Sequence, residues 1–266
     1  MIVYGFVRNL LITGAGRSGT SLVAGMLAGA GYHAGDDFLA PTRANPKGFF
    51  EDSRVTAIND GILQAQFPYW LGPRIAKWSP RLSRVFYRWV PDPSQLWLAG
   101  LSTWRAKPAT REFDDEIRAL LIEPYCYKDP RFYFTLPVWR PFLQNVGIIC
   151  VFRSPERTAE SITRECAESS YLASLGMTRR KALRIWENTY RWILEHQATW
   201  GDWLFIHFNQ ALTQAGMERI EAFAGAQVDR AFGEERLSRS KSDHLLRSHT
   251  YQKLCALAGF EERADQ

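Results

Sequence analysis

The sequence predicts an α/β protein with a parallel central sheet flanked by helices. Three observations carry the prediction: short apolar runs that end at glycine or charge, segments of helical periodicity between them, and a glycine-rich turn joining the first run to the first helix. Strands separated by helices imply right-handed crossovers.

The first run, residues 7 to 13, carries Leu10, Leu11 and Ile12 and stops at Gly14. After the turn, Leu22, Val23, Met26, Leu27 and Ala30 recur at helical spacing. "PYCYK" (124 to 128), "GIICVF" (147 to 152) and "WLFIHF" (203 to 208) read as further buried strands. Between the last two, Thr178 opens a helix whose Leu183, Trp186, Tyr190, Ile193 and Gln197 share one face.

Residues 68 to 111, rich in Pro, Trp and Arg, depart from the pattern. In "SPRLSRVFYRWV" (79 to 90), Ser79 reads as an N-cap with proline at the first helical position. Arg81, Arg84 and Arg88 then share one face, and Leu82, Val85, Phe86 and Trp89 another. Two readings stay open: a surface helix with solvated arginines, or an acceptor-side insertion around 60 to 111 that meets an anionic or amphiphilic substrate, with peripheral contact to a membrane surface.

The chain of 266 residues, 46% of them hydrophobic, is expected to form a single domain spanning 1 to 266. A formal charge of +5 permits an anionic partner, and without a continuous basic tail no nucleic-acid partner is expected. Cys126, Cys150, Cys166 and Cys255 are widely spaced and suit reduced thiols in the cytoplasm. The apolar run at the N-terminus is broken by Arg8 and Asn9, too short for a signal peptide or anchor. His244 and His249 lack a third ligand at metal spacing, so no metal site is expected.

"GAGRSGTS" (14 to 21) can be read in three ways. Gly14, Gly16 and Gly19 satisfy the dinucleotide fingerprint, which also wants a strand ending in an acid about 20 residues on. Asp36 and Asp37 stand near that distance, but "AGAGYHAGDD" is too glycine-rich for a strand. A triphosphatase or kinase loop wants a lysine before Ser21, and Thr20 stands there. The loop instead carries a cation, Arg17, that can fork onto an oxyanion while backbone amides and the helix N-terminus hold the rest.

That loop resembles the 5'-phosphosulfate loop of sulfotransferases that use 3'-phosphoadenosine 5'-phosphosulfate, in which Lys or Arg precedes Ser/Thr-Gly-Thr. A second segment, "CVFRSPERTAES", resembles the same family's 3'-phosphate signature, an arginine closing a buried strand and a serine eight residues later, here Arg153 and Ser161. "NPKGFFED" (45 to 52) resembles the bacterial and glycan-type segment that places an acid near the acceptor hydroxyl, and "YKDPRFYF" (127 to 134) the Lys-x-Pro segment whose lysine reaches the sulfuryl group.

The resemblance implies a P-loop-like sulfotransferase fold, with 3'-phosphoadenosine 5'-phosphosulfate as co-substrate and 3',5'-phosphoadenosine as product. Gly16, Arg17, Ser18, Gly19, Thr20 and Ser21 would hold the 5'-phosphosulfate, and Arg153 and Ser161 the 3'-phosphate. Arg17 would neutralise the leaving phosphate, Lys128 would contact a sulfuryl oxygen, and Glu51, with Asp129 second, would take the acceptor proton. The acceptor would be a sugar, a glycolipid or a small alcohol, and transfer would need no metal.

The sequence departs from the family in two places. Aryl and steroid members carry a histidine shortly after the lysine, where this chain has Asp129 and Pro130, and many members carry an aromatic-acidic pair where it has Phe208 and Asn209. Glu51 could instead cap or pair with Arg54, Lys128 and Arg131 could pair with Asp129, and Arg157 reads as a helix-surface charge. Arg236, Arg239 and Lys241 either close over the 3'-phosphate or form a disordered basic segment. Two alternatives remain: a nucleotide kinase or triphosphatase, and a non-catalytic nucleotide-binding module.

Overall fold

A computed structural model of the chain describes residues 7–39, 48–65, 77–79, 81–82, 93–98, 111–234 and 248–261. Four parallel strands form one sheet in the order β2-β1-β3-β4: β1 (Asn9–Thr13), β2 (Cys126–Lys128), β3 (Val146–Phe152) and β4 (Asp202–His207). Each predicted strand is present, shortened or shifted by one or two residues at its ends.

The central strands are buried on both faces, which is why they read as continuous apolar runs and not as alternation. Leu10 and Ile12 of β1 join Ile149 and Val151 of β3 under α1 (Thr20–Ala28), while Leu11 and Ile148 face the opposite core. That second core is built with α2 (Ser53–Gln64), α3 (Asp114–Leu120) and α4 (Phe132–Trp139). Cys150, Phe152 and Phe205 pack on the same side against Trp186 and Tyr190.

Two long helices follow β3: α5 (Pro155–Glu168), begun by Ser154 as N-cap, and α6 (Arg179–Trp192), begun by Thr178, whose hydroxyl accepts from the Lys181 amide at 3.3 Å. Of the face predicted for α6, Trp186, Tyr190, Ile193 and Gln197 are buried, and the helix closes in a π-helical turn over Ile193–Gln197.

The last strand ends one residue earlier than its apolar run. His207 Nδ1 accepts from the Asn209 amide at 3.1 Å and Gln210 Oε1 from the His207 amide at 3.3 Å, a reciprocal cap that turns Phe208 into the first residue of α7 (Phe208–Ala211). The chain continues through α8 (Gln214–Ala224), α9 (Arg230–Glu234) and α10 (His249–Ala258).

Ser79 Oγ accepts from the Leu82 amide at 3.3 Å, as the proposed N-cap would. The rest of that helix lies outside the described residues, as do Pro46, Lys47, Arg236, Arg239, Lys241 and His244. Among the described residues no helix is long and apolar enough to cross a membrane. All four cysteines are free thiols.

Candidate functional site

The glycine turn leaves the carboxyl end of β1 and feeds α1, so its amides and the helix N-terminus point the same way. Gly14 takes φ 150°, and a Cβ there would stand 2.2 Å from the Val151 carbonyl oxygen, so the first glycine is fixed by backbone. Gly19 takes φ 99° against the Phe208 ring. Arg17 is itself left-handed at φ 69°, an uncommon state for a side-chain-bearing residue.

The turn is held from beneath by a group that sequence reasoning placed only on a helix face. The buried Tyr190 hydroxyl accepts from the Ala15 amide at 3.1 Å and donates to the Val151 carbonyl at 2.8 Å, tying loop to β3. Ser18 adds a hydroxyl contact to Thr158 of α5 at 3.4 Å. Ser21 Oγ donates to the Phe49 carbonyl at 3.2 Å, joining α1 to the segment that carries Glu51. Thr20, the first residue of α1, is buried.

Arg17 reaches sideways to α5. Its Nε donates to Ser161 Oγ at 3.2 Å, and its Nη1 lies 3.7 Å from Glu165 Oε2. The loop cation and the serine of the second motif, 144 residues apart, therefore touch.

Arg153 follows the last residue of β3, buried, with its guanidinium 4.7 Å over the Phe208 ring and its carbonyl accepting from Trp186 Nε1 at 3.0 Å. Burial pushes its pKa down to about 10, and Arg157, Arg17 and Arg164 push the same way against Glu160. Arg157 is thus part of this concentration of positive charge, and not only a helix-surface residue. The buried Arg153, with the half-buried Arg17, Arg157 and Arg164 acting against its charge beside the loop amides and a serine hydroxyl, suits an anionic ligand such as a phosphate.

His207 stands at the next strand end and was not singled out by sequence. It is pressed against Phe260 with ring centroids 3.9 Å apart, and burial, then Arg153 and Arg157, push its pKa down to about 3. The only sequence signal was a polar residue inside an apolar strand run.

A second cluster sits where β2 ends, beside the start of the loop. Register pairs Ile12 with Lys128, and the Asp129 amide donates to the Ile12 carbonyl at 3.1 Å. Lys128 Nζ bonds Glu51 Oε1, both side chains being buried. Glu51 Oε2 lies 3.6 Å from Arg131 Nη1. Asp129, fully buried, accepts from the Arg131 amide at 2.7 Å and from Nη1 at 3.2 Å, so its carboxylate is engaged with Arg131 and not with Lys128.

Asp60, also missed by sequence, accepts from Arg131 Nε at 2.6 Å and Nη2 at 3.4 Å. Burial pushes its pKa up to about 7; Arg131 works against that, while Asp129 and Glu51 add to it. Burial opposes the charge on Arg131, but Asp129, Asp60 and Glu51 raise its pKa above the ordinary value.

Arg54 pairs with Asp36 at 2.8 Å and Asp52 at 3.4 Å, and not with Glu51. Asp52 caps α2 by accepting from the amides of Arg54 (2.9 Å) and Val55 (3.2 Å), and it also accepts from the Asp36 amide at 3.0 Å. Burial opposes the charge of Asp52, but its bonds to the Arg54 side chain and nearby amides hold its pKa below the ordinary value. Asp36 and Asp37 are occupied in fixing this turn.

No protein-family model and no curated protein matches the chain. Over nearly its whole length it is similar to two solved structures. One is the sulfotransferase domain from the Synechococcus PCC 7002 olefin synthase, at 17% identity and TM-score 0.47, covering 94% of this chain and 93% of that one. The other is the sulfotransferase domain from the curacin biosynthetic pathway, at 15% identity and TM-score 0.48, covering 96% of this chain and 99% of that one.

Proposed function

We propose that the chain transfers a sulfuryl group from 3'-phosphoadenosine 5'-phosphosulfate to the hydroxyl of a sugar, a glycolipid or a small alcohol. The observation that carries this reading is the Arg17–Ser161 bond beside Arg153. It brings the glycine loop and a second cationic site together, an arrangement that suits a nucleotide with phosphates on both its 3' and 5' positions. A triphosphate held in line along one loop would leave the second site without a purpose.

In the transfer, the acceptor oxygen attacks sulfur as the bond from sulfur to the 5'-phosphate oxygen breaks. The electron pair leaves with 3',5'-phosphoadenosine, and the acceptor proton passes to Glu51. Arg17 and the loop amides offset charge on the departing phosphate, and Lys128 meets a sulfuryl oxygen. The Lys128–Glu51 pair supports these roles, because a hydroxyl inserting between them meets cation and base together.

Thermal unfolding with nucleotides tests the reading. Binding raises the melting temperature by mass action, so 3',5'-phosphoadenosine should raise it well above adenosine 5'-phosphate, and Arg153→Ala should erase the difference. An equal response in the wild type would overturn the donor assignment. Release of 3',5'-phosphoadenosine from the donor, with glycerol as acceptor and magnesium chelated, separates an enzyme from a binding module. Glu51→Gln should keep nucleotide binding and lose about 10²- to 10⁴-fold in turnover. Magnesium-dependent hydrolysis of a nucleoside triphosphate would favour the triphosphatase instead.

A further inference from the structure

Lys128 and Glu51 sit in a buried cluster of three carboxylates and two cations, and its geometry is organised around a residue that neither motif assigns. Arg131 uses all three nitrogens of its guanidinium. Nε and Nη2 form a side-on fork onto Asp60 at 2.6 and 3.4 Å, Nη1 reaches both Asp129 oxygens at 3.2 and 3.4 Å, and the same Nη1 lies 3.6 Å from Glu51 Oε2. Asp129 is itself pinned by the Arg131 amide at 2.7 Å, so the guanidinium has little freedom to turn.

We propose that Arg131, clamped between Asp60 and Asp129, is a positioning residue for the transfer: it holds the second oxygen of Glu51 and fixes the orientation in which that carboxylate meets the acceptor. The proposal rests on the reading of Glu51 as the base. One Glu51 oxygen is taken by Lys128, so without Arg131 the carboxylate would pivot about that single bond. The guanidinium serves the carboxylates from three separate nitrogens, whereas a lysine ammonium presents its donors from one and lacks the side-on fork onto Asp60.

The groups facing Asp60 are Arg131, Asp129 and Glu51, which come from the residues following β2 and the segment preceding α2. Among the described residues of the cluster, three acids stand against two cations, one negative charge in excess. Asp60, pushed up to about 7, is the member that relieves it by taking a proton. The clamp therefore loosens below neutral pH, as Asp60 becomes neutral.

The test uses full-length Arg131→Lys and Asp60→Asn, with turnover of 3'-phosphoadenosine 5'-phosphosulfate in glycerol followed across pH. Nucleotide binding and the mobility of the Arg131 Nε–H group by nitrogen-15 relaxation are measured alongside. Arg131→Lys should lower kcat by about tenfold or more while KM for the donor and affinity for 3',5'-phosphoadenosine stay within about twofold. Asp60→Asn, an isosteric change, should lower kcat less, remove the rate inflection near neutral pH and free the Arg131 Nε–H motion.

Unchanged kcat in both variants would overturn the proposal, and so would a loss of nucleotide affinity matching the loss of rate. If wild type neither binds nor turns over the donor, the sulfuryl-transfer reading fails. The Nε–H relaxation then decides the clamp alone, an equally mobile signal in wild type and Asp60→Asn ending it.

Discussion

The indole of Trp97 lies against Gly16 so closely that a Cβ on the glycine would stand 2.5 Å from two ring carbons. The short turn Pro93–Leu98 thereby roofs the glycine loop, anchored by Gln95, whose Nε2 donates to Ser174 Oγ at 2.7 Å.

Gly16 has no positive φ, so an alanine there meets only the ring. Gly16→Ala should cost about 1–3 kcal/mol by overpacking. Adding Trp97→Ala should recover part of that, a coupling of about 1 kcal/mol in a denaturation cycle. Strict additivity would show that ring and loop are independent. Gly14→Ala should find no such rescue, because its Cβ meets the backbone of β3.

Tyr190→Phe should remove the strut under the loop while leaving the ring's packing in place. The Ala15 amide and Val151 carbonyl would both lose a buried partner, a cost of about 1–3 kcal/mol. Because Ala15 belongs to the turn, affinity for 3',5'-phosphoadenosine should fall as well. Calorimetric binding equal to wild type at reduced stability would confine Tyr190 to the core.

Two groups, the buried His207 and the half-buried Asp60, should tilt stability against pH in opposite directions. The unfolded chain protonates a histidine near its ordinary 6.5, whereas His207 in the fold resists until about 3. The unfolded state thus binds the extra proton as pH falls through that window, and stability is lost. Asp60 behaves the other way: the fold keeps its proton from the ordinary 3.8 up to about 7, so stability is lost as pH rises through that window. The slopes oppose each other between about pH 4 and 6.5. Urea denaturation across this range should show His207→Asn losing stability as pH rises and Asp60→Asn gaining it. Parallel curves for wild type and both variants would refute the assignment.

The strands were legible because burial on both faces makes β1 and β3 apolar without interruption, and the loop because only glycine survives where Gly14 and Gly19 sit. Arg17, Ser161, Lys128 and Glu51 came from local motifs, and the fold brings Arg17 to Ser161 and Lys128 to Glu51, two contacts that no motif stated. Tyr190, His207 and Asp60 were not legible as site residues. Each acts through a partner far along the chain, and a tyrosine or aspartate within a helical pattern carries no local sign of that partner. The end of β4 was misplaced for a related reason: Phe208 continues the apolar run, but a cap formed by His207 and Gln210 decides where the strand stops.

The pairing of Ile12 with Lys128 has a meaning beyond holding two strands together. A slip of one position would replace Lys128 in that pairing by Tyr127 or Asp129 and turn the ammonium away from its place. The ladder between β1 and β2 acts as a ruler that sets which side chain is delivered beside the loop. An error in assembling the sheet would therefore remove the cation from beside the loop, and a correctly sized but slipped fold would lose the Lys128–Glu51 pair.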